Sequence, residues 1–165
     1  MHKSSYDEML KFRKKYIKAG STVLDVGGAD AGSCPGGAPA NTYAPQFDDC
    51  DFKVLDFSET ADIVVDGYDW PIFDPVDCLI SGQMLEHDPY FWVTLENMAN
   101  AVVSGGHICI IVPTVGKIHR YPIDCYRFYP DVGPVWADIM DSELLECYMT
   151  DNARWYDLVV IFRKK

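Results

Sequence analysis

Four short stretches of this chain end in the kinds of residue that hold a small polar ligand. Asp25 stands just before Gly27 and Gly28 in VLDVGGAD. Asp56 and Phe57 close DFKVLDF. Asp66, Gly67 and Tyr68 follow ADIVV, and Ser81 and Gly82 end VDCLISG, just ahead of Glu86 and His87. Glycines let a backbone approach a ligand closely, and ionised carboxylates act only as hydrogen-bond acceptors. Glu86 and His87 form an acid–base pair, in which His87 is the better general base because imidazole titrates near neutrality. A fifth stretch, HRYPIDCYRFYPD, gathers His119, Arg120, Tyr121, Asp124 and Arg127. Its arginines suit an anionic or polyhydroxyl acceptor, and the alternative is a structural lid in which Asp124 pairs with an arginine.

The elements that must position these residues are legible from apolar periodicity. Helical spacing predicts a helix over residues 4–19, with Ser5 as N-cap, Glu8 three residues on, and Gly20 as the stop. STVLDVGG, DFKVLDF, ADIVVDG, VDCLISG and HICIIVP are predicted strands. PYFWVTLENMANAVVSGG is a predicted helix ending at Gly105-Gly106. VGPVWADIMDS is another helix, with Pro134 tolerated in its first turn, and ELLECYMT and YDLVVIFRKK are two closing strands. Only a short helix fits in NTYAPQFDD. Strands separated by helices imply a mostly parallel sheet covered on both faces, and the short link between the last two strands implies that they pair antiparallel.

Composition narrows the function further. The 165 residues are 48 % apolar and 13 % aromatic, a globular composition that suits one domain. The formal net charge of −11 disfavours a nucleic-acid partner, and the basic run from Lys11 to Lys18 reads as a solvated helix face. No apolar run is long enough to span a membrane, and the charged N-terminus lacks a signal-peptide core, so a cytoplasmic location is expected. The six cysteines include no CxxC pair. They read as reduced thiols, and no metal site is expected.

Ligands of an open parallel sheet sit beyond the carboxyl ends of its strands, where this chain converges Asp25, Asp56 and Asp66. A dinucleotide is a poor match. Gly27, Ala29 and Gly32 only approximate GxGxxG, and Asp30 would oppose a pyrophosphate. S-adenosyl-L-methionine carries a sulfonium, an ammonium and a ribose diol but no phosphate. Asp56 can accept the ribose hydroxyls, Asp66 the adenine amino group, and Phe57 or Tyr68 can flank the adenine, while Gly27 and Gly28 admit the methionine portion.

The ordered blocks VLDVGG, VLDF, ADIVVDGYDWPI, VDCLISGQMLEH and ENMANAVVSGGHICIIVPT, from Thr22 to Thr114, resemble the class I S-adenosylmethionine-dependent methyltransferases. SGQMLEH followed by HRYPIDCYRFYPD is similar to a small type within that family. The glycine loop departs from the family's D-x-G-x-G-x-G, with Ala29 and Ala31 in the last two glycine positions. The resemblance implies a Rossmann-like three-layer α/β sandwich with a seven-stranded sheet, mostly parallel, whose last strand is antiparallel. It implies a single minimal domain over 1–165, with an N-terminal helix in 1–20 and a substrate-side lid in 115–131. It also implies methyl transfer from S-adenosyl-L-methionine to oxygen or nitrogen of a small or glycan-like acceptor, and the alternative is a non-catalytic binding or scaffold protein of the same fold.

Overall fold

The computed structural model describes residues 2–29, 42–151 and 156–165. Their elements run α1 (Lys3–Tyr16), β1 (Thr22–Val26), a 3₁₀ turn (Ala44–Gln46), β2 (Asp51–Asp56), β3 (Ile63–Val64) and β4 (Val76–Gly82). A second 3₁₀ turn (Leu85–His87), α2 (Phe91–Asn100), β5 (Val102–Pro113), α3 (Val132–Ile139), β6 (Ser142–Met149) and β7 (Asp157–Lys164) follow. No helix among the described residues is long and apolar enough to cross a membrane.

The seven strands form one sheet in the order β3-β2-β1-β4-β5-β7-β6. β1 pairs in parallel with both β2 and β4, and β7 pairs antiparallel with β5 and β6, as the sequence implies. Strand order reverses between β1 and β4. That reversal opens a crevice beyond their carboxyl ends, the usual ligand position of such a sheet.

Alternation along the central strands sends neighbouring residues to opposite faces. Val23, Ile80, Cys109, Ile111 and Val159 face Met9 and Phe12 of α1 and Tyr43 and Phe47 around the first 3₁₀ turn. Leu24, Leu79, Ile108, Ile110 and Val160 face Leu95 and Met98 of α2 and Trp136 and Met140 near α3. The sheet is thus covered on both faces, and polar residues gather at its carboxyl edge.

Three expectations are corrected. α1 begins at Lys3 with His2 as N-cap and makes no side-chain cap bond. Ser5 lies fully buried inside the helix, where its hydroxyl bonds the Tyr43 hydroxyl at 2.5 Å, so packing claims the oxygen that a cap would use. The helix also ends at Tyr16, a turn before Gly20. Gly105-Gly106 does not stop a helix. α2 ends at Asn100, and both glycines lie within β5, where the β4–β5 register slips between Val76 and Cys78. Gly105 has φ +82°, and such an irregularity is a common use of strand glycine.

Gly106 is limited by space rather than by backbone angle. A Cβ there would stand 2.6 Å from Val102 Cγ1 and 2.8 Å from the Asp77 carbonyl oxygen. Gly106→Ala is expected to cost about 1–3 kcal/mol through overpacking, read as a lower urea midpoint at unchanged slope. An unchanged midpoint would show that the β4–β5 irregularity relaxes freely.

Candidate functional site

β1 delivers Asp25 to the switch-point crevice. Its side chain is 1 % exposed, and neither carboxyl oxygen has a hydrogen-bond partner among the described residues. Gly28 packs directly against it, and a Cβ at Gly28 would fall on the Asp25 carboxyl. Gly27 has φ +79° and rests against the Met84 side chain, which ties the glycine turn to the segment after β4. Burial, reinforced by the Asp56 charge, raises the Asp25 carboxyl to about 8. A buried carboxyl without donors favours its neutral form.

β2 ends at Asp56, whose Oδ2 accepts the Ala29 amide at 3.2 Å and Oδ1 the Ser58 amide at 3.0 Å. Each oxygen keeps a lone pair for a ligand. Phe57, beside it, is 69 % exposed, a large apolar ring left uncovered at the crevice. After β3, Asp66 is exposed and Gly67 has φ +87° with open space around it. The Tyr68 hydroxyl donates to Asp88 Oδ1 at 2.6 Å; burial and this bond push the phenol up to about 12. Tyr68 therefore braces the entry to α2. Ser81 is buried and donates to the Val26 carbonyl at 2.9 Å, bonding β4 to β1. Gly82 lies under the Tyr43 ring, whose hydroxyl occupies the space of a Cβ. Asp30 and Gly32 of the glycine loop lie outside the described residues.

The 3₁₀ turn after β4 carries Glu86 and His87. Glu86 is 3 % exposed, and its Oε2 has no hydrogen-bond partner among the described residues. Burial raises its carboxyl to about 8, against the lowering effect of its backbone hydrogen bond and of Arg127. His87 Nδ1 lies 2.5 Å from the Ile123 carbonyl oxygen. A carbonyl only accepts, so Nδ1 carries the proton and Nε2 presents its lone pair, 3.6 Å from Glu86 Oε1. Burial lowers the imidazole pKa, which favours the neutral ring. The Glu86 carbonyl also accepts the Cys125 and Tyr126 amides, fastening the 115–131 segment over this turn.

Within that segment Arg127 is held internally. Its Nη1 donates to Asp124 Oδ1 at 2.5 Å and the Tyr126 carbonyl at 2.6 Å; its Nη2 donates to Asp124 Oδ2 at 2.7 Å and the Lys117 carbonyl at 3.1 Å. All four terminal guanidinium hydrogens are engaged. Asp124, bonded chiefly by Arg127, has its carboxyl lowered to about 2. Arg120, His119 and Tyr121 are exposed, and the His119 and Tyr121 rings approach His87 with centroids 5.3 and 6.4 Å away.

Three residues at this edge were not singled out from the sequence. Asp157, fully buried at the start of β7, accepts Ser4 Oγ at 2.7 Å and Gln83 Nε2 at 3.2 Å and lies 3.3 Å from His2 Nε2. It joins the N-terminal turn of α1 to the loop after β4. Gln83 takes φ +59°, an uncommon angle for a non-glycine residue. Tyr43 roofs Gly82. An aspartate opening the apolar run DLVVIF was the only sequence signal among them.

Asp25 and Glu86 retain protons in the folded chain that the unfolded chain releases near pH 4, so stability falls as pH rises from about 4 to about 8. Asp124 has the opposite sign; its contribution is lost only as pH falls from about 4 toward about 2. The melting temperature should therefore decline between pH 5 and 8, by on the order of 10 °C or more, and Asp25→Asn should flatten that decline. A wild-type melting temperature that rises with pH across this range would contradict the burial assigned to both carboxyls.

No family model matches this chain, and no curated protein does. Solved structures do. TehB from Haemophilus influenzae superposes with a TM-score of 0.66 at 15 % identity over 96 % of this chain, which spans only 62 % of that protein's length. The 1,6-didemethyltoxoflavin-N1-methyltransferase of Burkholderia thailandensis, solved with 1,6-didemethyltoxoflavin and S-adenosylhomocysteine, gives 0.73 at 12 % identity over 99 % of this chain and 79 % of that one. The N-methyltransferase NodS of Bradyrhizobium japonicum in complex with S-adenosylhomocysteine gives 0.66 at 14 % identity over 98 % and 86 %. At these identities the likeness establishes one thing: the chain has the Rossmann-like fold of these methyltransferases.

Proposed function

We propose that this chain is an S-adenosylmethionine-dependent methyltransferase acting on a small acceptor. The observation that carries the reading is Asp25, a buried carboxyl at the switch point of the sheet that no donor among the described residues meets. Around it the strand ends offer acceptors and close-approach glycines, and residues 25–29, 56–58, 65–68 and 81–84 contain no lysine or arginine. That donor-poor set rejects a pyrophosphate and fits a nucleoside that brings its own positive charge.

The residues divide the ligand by its chemistry. Asp56, with a lone pair left on each oxygen, suits a ribose diol, and the exposed Phe57 ring suits an adenine face. Asp66, exposed after β3, is within the same rim and suits the adenine amino group. Asp25 and the Gly27-Gly28 turn suit the cationic methionine end. When bound, the sulfonium supplies an electrophilic methyl group.

The chain's own part is to align the acceptor and to move a proton. Orientation of two reactants in a water-poor site can lower a barrier by up to about 7–11 kcal/mol. His87 Nε2, neutral and presenting its lone pair, is set to take a proton, a role worth about 10²- to 10⁴-fold. The 115–131 segment, fastened to the Glu86 carbonyl, covers this side of the edge.

Calorimetric titration with S-adenosylhomocysteine tests the reading. Wild-type protein should bind, and Asp56→Ala should weaken binding several-fold to hundred-fold, about 1–3 kcal/mol for hydrogen bonds to a charged group. Gly27→Val should abolish binding, because its Cβ would meet Met84 on a backbone at φ +79°. No heat with the wild-type protein would remove the methyltransferase reading, and full affinity in Asp56→Ala would remove the ribose assignment.

A further inference from the structure

Resting on the methyltransferase reading, we propose that the acceptor is an amine, received in its protonated form by the Glu86 carboxyl beside His87, and that Arg127 of the covering segment binds no anion.

The arginine clamp that the sequence suggests is not free to act. A guanidinium grips a carboxylate or phosphate through paired terminal N–H groups, and Arg127 directs all of these to Asp124 and to two backbone carbonyls. Only its Nε–H has no hydrogen-bond partner among the described residues. One buried N–H is a poor anion site, particularly beside the Glu86 carboxyl, which itself feels the charges of Asp124 and Asp157.

Glu86 presents the complementary deficit. Its Oε2 is buried with no partner among the described residues, and the neighbouring His87 offers Oε1 a lone pair rather than a proton. Once a cation ionises Glu86, two acceptors face each other across 3.6 Å. A ligand carrying two or more N–H donors satisfies both, whereas a hydroxyl supplies one and a carboxylate none. The His119 and Tyr121 rings against His87 add faces that favour a cation.

The chemistry closes without a further reagent. On binding, the ammonium ionises Glu86, whose proton passes to water. The ammonium then gives one proton to His87 Nε2 while Glu86 holds a remaining N–H, and the nitrogen lone pair forms the N–C bond to the sulfonium methyl. The C–S bond pair remains on sulfur, the product leaves as an N-methylammonium, His87 returns its proton to water, and Glu86 takes one up again.

The test uses three probes of one shape on wild-type protein saturated with S-adenosylhomocysteine at pH 7.5: 2-phenylethylamine, 2-phenylethanol and phenylacetate. Binding is followed by the histidine ring protons in NMR. The amine should bind at least about ten-fold more tightly than either other probe and shift the His87 signals. Glu86→Gln should remove that preference while S-adenosylhomocysteine affinity stays within about two-fold and the melting temperature does not fall, since a buried carboxyl without a partner is replaced by a neutral isostere. Equal or tighter binding of phenylacetate or phenylethanol overturns the proposal, as does the absence of binding by all three. The wild-type ranking decides even if the variant does not fold. Failure of S-adenosylhomocysteine itself to bind would instead strike the methyltransferase reading.

Discussion

The structure is organised around a buried carboxyl that no donor among the described residues meets. Asp25 sits where β1, flanked in parallel by β2 and β4, meets the reversal of strand order. Removing an ionised carboxylate from water without a partner is costly, and the group escapes by holding its proton. The free chain therefore keeps Asp25 neutral, with Gly28 pressed against it and Asp56 close enough to reinforce the effect. A cationic ligand would reverse that balance, and on this account the glycine turn, the strand ends without lysine or arginine and the exposed Phe57 ring all serve one ligand chemistry.

The same logic recurs further along the carboxyl edge. Asp157 is buried but satisfied, and its bonds to Ser4 and Gln83 hold the start of α1 against the loop after β4. Asp124 is satisfied by Arg127. Glu86 is buried, and its Oε2 has no partner among the described residues. The difference separates structural carboxyls from those that await a ligand. Asp124 thereby uses up Arg127, which a reading of the sequence alone would assign to an acceptor.

Much of the fold was legible in the sequence because strand and helix periods differ. All seven strands, the antiparallel closing strand and the helix admitting Pro134 follow from apolar spacing and short connections. Ser5 and Gly105-Gly106 were misread for opposite reasons. Ser5 has the chemistry of a cap, but the hydroxyl of Tyr43, 38 residues away, takes its oxygen. The glycine pair has the chemistry of a helix stop, but β5 begins early and uses it at an irregularity with β4. For the site, residues at strand ends were visible because topology sends them to one edge. What stayed hidden depends on distant partners: the roof that Tyr43 places over Gly82, the latch at Asp157, and the binding of Arg127 to Asp124. His87 drew attention over Glu86 because reference pKa values favour it, whereas burial, which no spacing reveals, makes Glu86 the more perturbed of the two.

The account's central claim is that a positively charged ligand answers the buried Asp25 carboxyl, and proton release on binding measures this directly. Titration of S-adenosylmethionine into the protein at pH 7, in buffers of different ionisation enthalpy, gives the number of protons exchanged. Asp25 held near 8 in the free chain predicts release of on the order of one proton per ligand bound as the carboxyl ionises beside the cation, and loss of that release in Asp25→Asn. Binding with no dependence on buffer, or a proton release that survives Asp25→Asn unchanged, would contradict it.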